Sequence, residues 1–325
     1  MSWWRRLQID YFLLLMLMTI MIASFFPCQG KVKIVFQHLT TIAIALLFFL
    51  HGAKFSRQAI LAGIGHWRLH LLIFTSTFIL FPIINLVLKP LVLYWISPPT
   101  ICIGFLYLCA LPATVQSAIA FTSVADGNIT AAICSASASS LLGMFLSPVL
   151  VSFLIDFDDN HIDLWKNIGA ILLQIMLPFI LGHLLRPLII KWINRYRRLI
   201  TISDRSSILF VVYVTFSEAV IEGIWHKVDG WSLLMIVIIS CLLLAIVVLF
   251  NIYSARYFGF SKADEITIVF CGSKKSLVNG VPMANILFPA HLVGIILLPV
   301  MIFHQIQLMV CAVLAQHYAK RAVND

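Results

Sequence analysis

Two adjacent lysines, Lys274 and Lys275, stand in an apolar setting, between the run Ile266 to Phe270 and the run Met283 to Leu287. A charge at the centre of a bilayer costs about 2.5–3.5 kcal/mol on insertion scales, so such residues face a cavity or a partner rather than lipid. Gly272, Gly280 and Pro282 fall in the same stretch and weaken a helix. Lipid tolerates a break only where the freed backbone groups meet protein or water. A second polar interruption, Leu111-Pro112-Ala113-Thr114-Val115-Gln116-Ser117, precedes the apolar run Ala118 to Phe121. Half-helix N-termini at two such breaks would attract an anion. The chemistry expected is therefore recognition of a charged solute, with Lys274, Ser276, Asn279, Gln116 and Ser117 as candidate substrate-binding residues.

Other polar residues carry two readings each. The segment Asn128 to Gly143 is rich in small and hydroxyl residues, Ser135 and Ser137 among them, which suits close helix packing or ligand contact. Glu218 is the one acid well inside an apolar run: a partner for Lys274, a proton carrier or half of a structural ion pair. Lys275 fits a snorkelling or paired lysine. His51, His70, His183 and His304 sit near span ends and read as interfacial anchors. The seven cysteines mostly lie in apolar runs without ligand spacing, which suits packing and not a metal or disulfide. The spans hold no HExxH, GxSxG or paired-aspartate arrangement, and there is no GxxxxGK[ST] loop, so an enzyme or a nucleotide-driven pump is not expected.

The elements that position these residues are legible from hydropathy. The 325 residues are 62% hydrophobic and 11% charged, with a mean hydropathy of +1.02. That composition is an all-α polytopic membrane protein. The net charge of +9 follows topology rather than nucleic-acid binding, because the cations fall in short loops. Runs able to cross roughly 30 Å of hydrocarbon occur at 11–26, 37–53, 70–88, 100–123, 128–155, 165–185, 206–222, 231–255, 264–288 and 291–316. Arg5 and Arg6 precede the first, which reads as a retained helix, since no small-x-small cleavage site follows. Cytoplasmic termini put Lys54, Arg57, Arg186, Arg198 and Arg205 inside, and the acidic loop Asp156, Asp158, Asp159 and Asp163 outside. Leu141 to Val149 matches Leu292 to Val300, with a Gly and a Pro at the same spacing, nearly half the chain apart. Ten spans then divide into two five-helix repeats, 1–160 and 161–325, the second inverted because five is odd.

On His51-Gly52-Ala53, Gly65-His66-Trp67-Arg68, Leu111 to Ser117, Ser135 to Leu142 and Phe270 to Met283, the chain resembles the bile acid:sodium symporter superfamily. Within it the likeness is to the bacterial YfeH-like branch and to the member 7 type of the animal carriers. The resemblance implies a panel domain of spans 1, 2, 6 and 7 beside a core domain of the others, with broken helices 4 and 9. It also implies a substrate site between the domains and residence in a bacterial inner membrane. At the family's sodium-ligand positions this chain has Phe270 for a glutamate, Lys274 and Thr77 for glutamines, and Ser117-Ala118 for a Ser-Asn pair, with Ser135 and Ser137 beside Ala132 and Ala136. An ammonium where a carboxylate is lost removes a sodium site. The expectation is symport of a small, steroid-like or sulfonated organic anion without cofactor, with Na+ or H+ as the candidate coupling ion; if Lys274 replaces at least one coupling cation, transport is sodium-independent or proton-linked. The alternative implied by the member 7 type is a membrane regulator of calcium entry.

Overall fold

The computed structural model describes residues 11–54, 64–155 and 164–322, and all regular structure among them is helical. Arg5, Arg6, Arg57 and the four acidic residues from Asp156 to Asp163 lie outside the described residues. Among the described residues, seven helices are long and apolar enough to cross a membrane, including Trp67–Trp95, Gly230–Tyr257 and Ala290–Lys320.

In chain order the helices are α1 (Tyr11–Phe25), α2 (Gly30–Lys54), α3 (Trp67–Trp95, with a π-turn at Ser76–Leu80), α4 (Thr100–Ala110) and α5 (Gln116–Val124). They continue with α6 (Ile129–Ile155), α7 (Leu164–Arg195), α8 (Arg197–Ile221), α9 (Gly230–Tyr257), α10 (Lys262–Gly272), α11 (Leu277–Leu287) and α12 (Ala290–Ala322). The runs expected at 100–123 and 264–288 are each two short helices, α4 with α5 and α10 with α11. Pro112 and the Gly272-Ser273 pair stop the backbone ladder there. Elsewhere the helices outrun their apolar segments: α7 extends to Arg195 and α8 starts at Arg197, because a helix carries polar ends into the headgroup region at no backbone cost.

Two groups of helices pack side by side. In the first, α2 runs along α7 while α1 and α2 lie on α8. Gly52 and Gly182 permit the α2–α7 contact, since a methyl at Gly52 would strike the Phe179 carbonyl and one at Gly182 the Phe49 carbonyl. In the second group α4 packs on α12, α3 and α6, and α10 on α9, α5, α3 and α6. Every residue from Ile101 to Leu111 is buried, as is every residue from Glu265 to Leu277. The broken helices thus occupy the interior, and unbroken ones present apolar side chains such as Leu184, Leu188 and Val313 outward. Lipid demands that arrangement of irregular backbone.

Loop ends are tied by local chemistry. Asp229 caps α9 through the Ser232 N–H at 2.9 Å, and Ser261 caps α10 through that of Asp264 at 3.2 Å. Glu265, one turn into α10, accepts from Lys262, Arg256 and the Tyr318 hydroxyl at 2.7, 3.2 and 3.0 Å, which staples α10 to α9 and α12. The short match between Leu141–Val149 and Leu292–Val300 does not mark equivalent places. Gly143 lies midway along α6 against the Pro112 ring, whereas Gly294 lies in the first turns of α12 against Ala219. Its residues serve different neighbours, so the likeness reflects shared demand for a small residue.

Candidate functional site

A helix broken at a proline leaves carbonyls without donors, and each must find one. From Leu108 to Pro112, at the end of α4, each carbonyl has one. Leu108 accepts from the Leu111 N–H at 3.3 Å, and Ala110 from the Ser147 hydroxyl at 2.7 Å. The Cys109 and Leu111 carbonyls accept from the Lys275 ammonium at 2.7 and 2.8 Å, and that of Pro112 from the Ser276 N–H at 2.8 Å. The third acceptor on Lys275 comes from α3. In its π-turn the Phe81 N–H reaches back to Ser76, and Pro82 has no N–H to give. The Thr77 carbonyl is thereby left over, and it accepts from Lys275 at 2.7 Å.

All three ammonium donors of Lys275 are therefore spent on backbone oxygens, with the Phe81 ring 4.2 Å away. Its own peptide unit is held from α12: the Lys275 N–H donates to Gln307 Oε1 and Gln307 Nε2 donates to the Lys275 carbonyl, both at 2.8 Å. Lys275 is a clasp between two helix breaks.

Lys274 has a different environment. It is fully buried, donates to the Ser117 carbonyl at 2.9 Å, and lies 3.8 Å from the Phe121 ring centroid and 5.6 Å from that of Phe270. One hydrogen bond and two aromatic faces hold this charge.

Beside the crossing is a cavity of about 560 Å³. One wall carries Thr114, Gln116, Ser117 and Phe121 from the first break and α5, Ser137, Ser140 and Met144 from α6, Ser276 and Asn279 from the second break, and His304 from α12. The facing wall carries Phe12, His51, Lys54, Phe179, Thr201, Asp204, Arg205 and Ile208, from α1, α2, α7 and α8. Several polar groups on the first wall are already engaged. Ser276 caps α11 through the Asn279 N–H at 3.2 Å, Asn279 donates to Ser140 Oγ at 2.9 Å, and Thr114 and Ser117 share a hydroxyl bond of 2.7 Å.

The structure brings Gln116, Ser117, Ser276, Asn279 and Ser137 to one cavity and leaves four other candidates off its wall. Lys274 lies behind Ser117 and Phe121. The Thr77 hydroxyl bonds back to the Ile73 carbonyl at 2.8 Å. Ser135 faces His70 Nδ1 at 2.6 Å, between α6 and α3. Glu218 is not the partner of Lys274: Gln37 donates to it at 2.6 Å and Lys33 pairs with it at 3.2 Å, because the end of α8 lies against the start of α2. His51 and His304, expected as interfacial anchors, line the cavity instead.

Lys54, Asp204 and Arg205 are the charged residues of the cavity wall, although the sequence marks the two cations only as topology charges. Lys54 and Asp204 form an ion pair. A signal for Asp204 does exist: it is an acid within the first turns of a membrane span that otherwise begins with Arg197 and Arg198.

The family profile of the SBF-like CPA transporter family matches residues 10–320. The chain belongs to this family. It is 58% identical over 317 residues to YfeH of Escherichia coli (strain K12), which covers 96% of this chain and 94% of that protein. An uncharacterized protein of Pseudomonas aeruginosa is 54% identical over 312 residues, covering 96% and 93%. The sodium/bile acid cotransporter 7 of Rattus norvegicus is 28% identical over 276 residues, covering 84% and 81%.

Proposed function

We propose that this chain is a secondary transporter that carries a small organic anion across a bacterial inner membrane by alternating access. The observation that carries the reading is the cavity between two helix groups, with the starts of two half-helices, at Gln116 and at Ser276 to Asn279, on its wall. Half-helix N-termini favour anions. The family assignment and the names of relatives agree with transport rather than catalysis.

In this reading α1, α2, α7 and α8 are the panel and the remaining helices the core. Ten membrane segments follow from counting α1 and each broken pair beside the seven long spans. Support for two inverted repeats, split near residue 160, comes from the helix starts, which pair at nearly constant separation: 67 with 230, 100 with 262, 116 with 277 and 129 with 290. Cytoplasmic termini follow from the Lys and Arg bias.

Lys274 acts here as a fixed internal cation. An ammonium lodged between Ser117, Phe121 and Phe270 does by itself what a bound sodium ion would do for the carbonyls at the crossing. Transport is then independent of sodium, and any coupling runs on protons. Ser117, whose carbonyl receives the ammonium, and Ser137, on the cavity wall, stand in this reading as remnants of an ion site, whereas Ser135 is engaged with His70; Thr77 serves through its carbonyl, and Glu218 is a structural ion-pair residue. No observation on the described residues favours a role in calcium entry.

Uptake of a labelled bile salt and of simpler carboxylates and sulfonates into proteoliposomes tests this, with sodium replaced by potassium and with an imposed pH gradient. Accumulation that survives sodium removal and changes in Lys274→Ala is the expected result. Unaltered rate and ion dependence in Lys274→Ala would discard the internal-cation role, and a failure to move any solute of the set would discard the carrier.

A further inference from the structure

We propose that Arg205, on the α8 wall, is the counter-charge that selects the transported anion. The assignment rests on the carrier reading and deepens it.

Three charged side chains line the cavity among the described residues: Lys54, Asp204 and Arg205. Lys54 and Asp204 pair with each other and cancel. Arg205 has no carboxylate or carbonyl partner among the described residues; its guanidinium lies 5.5 Å from the centroid of the Phe12 ring, which steadies the charge and leaves its donor edge unspent. The cavity therefore holds one uncompensated positive charge.

The lysine that sequence reasoning favours for this role is out of reach. Lys274 is fully buried behind Ser117 and Phe121, with its ammonium committed to a backbone carbonyl. A guanidinium offers two parallel donors to a carboxylate or sulfonate, a geometry an ammonium lacks. Val115 supplies no side-chain cap to α5, so the backbone donors at Gln116 and Ser117 on the other wall add a second weakly positive edge. Phe12, Met144, Phe179 and Ile208 provide apolar surface for the rest of the ligand.

The bland account is that Arg205 merely adds to cytoplasmic positive charge. Arg198, exposed like Arg205 and on the same helix but off the cavity wall, serves as the control for that account. The probes are cholate and its neutral methyl ester, measured by calorimetry and thermal shift on the purified full chain, wild type and with Arg205→Gln, Arg205→Lys or Arg198→Gln. Expected is wild-type binding of cholate well above the ester. Arg205→Gln should weaken cholate on the order of 10- to 100-fold, the value of a charge-assisted bidentate contact, and leave the ester unchanged. Arg205→Lys should recover part of the loss, which separates binding from folding, and Arg198→Gln should match wild type. Cholate bound equally by wild type and Arg205→Gln would overturn the assignment of Arg205 while leaving the carrier intact. Wild-type protein that binds neither cholate nor the simpler carboxylates and sulfonates would overturn both.

Discussion

Of the two interrupted helices, the one broken between α4 and α5 offers carbonyl oxygens, at Cys109, Leu111, Pro112 and Ser117, and the one broken between α10 and α11 supplies the donors that meet them. Lys275 takes two of those oxygens, the Ser276 N–H takes the third and Lys274 the fourth. The asymmetry follows from composition. Pro112 removes a donor from the first break and leaves acceptors in excess. Two lysines give the second break an excess of donors. Neither break is tolerable alone at membrane depth, because unpaired backbone groups there cost several kcal/mol each. Together they satisfy one another, which is the reason they meet.

The same comparison separates two neighbouring lysines. Lys275 has three carbonyl acceptors and works as structure. Lys274 has one, and its charge rests mainly on aromatic faces. That second site is the adjustable one, since a cation held on ring faces is less tightly specified than one in a cage of oxygens.

The largest expected effect comes from breaking the clasp. Lys275→Met strands the carbonyls of Thr77, Cys109 and Leu111, at about 1–3 kcal/mol for each unsatisfied group. The variant should lose its cooperative thermal transition or melt well below wild type in detergent. Gln307→Ala removes the two bonds to the Lys275 backbone and a contact with His304 Nδ1, leaves the three carbonyls paired, and should lower the midpoint less, in keeping with about 2 kcal/mol. If Lys275→Met were as stable as wild type, the donor-for-acceptor account of the crossing would be wrong.

Two glycines probe how rigid the first break is. A methyl at Gly143 would strike the Pro112 ring, a rigid neighbour in the acceptor break, whereas one at Gly280 would meet Leu111 Cδ1 at 2.8 Å, the end of a flexible chain. Gly143→Ala should cost roughly 1–3 kcal/mol, the range for overpacking, and Gly280→Ala clearly less. Equal midpoints for the two in a denaturation series would count against a rigid first break.

The smallest effect lies outside the membrane segments. The Asp229 carboxylate is held below its ordinary range, first by its hydrogen bonds with Ser232. A lowered folded pKa means that the cap contributes above the ordinary carboxylate range, and that this contribution disappears as pH falls through the folded value. Melting followed toward acid pH should show a decline that is shallower in Asp229→Asn. Identical pH profiles would show that this cap, unlike the buried donors, does not matter to stability.

Much of the site is legible in the order of residues. Pro112 and the polar residues after it announce one break, Gly272 and the lysines the other, and Gln116, Ser117, Ser276 and Asn279 do share a cavity. Glu218 is a different case: an acid in an apolar run signals a partner without saying which, and only the packing of α2 on α8 brings Lys33 and Gln37 to it in place of Lys274. Lys54 and Arg205 are hidden for the opposite reason. Cations at span ends are ordinary, and nothing local distinguishes those that line a cavity from those that meet water; Asp204, an acid among them, is the exception.

From the sequence alone follow a membrane-embedded helical chain and two places where its helices must fail, since hydropathy and missing N–H groups are local properties. Which lysine became the clasp and which was left against aromatic rings was decided by tertiary structure. An ammonium goes to the carbonyls left without donors, and here they belong to α3 and α4, freed by Pro82 and Pro112, far from Lys275 along the chain.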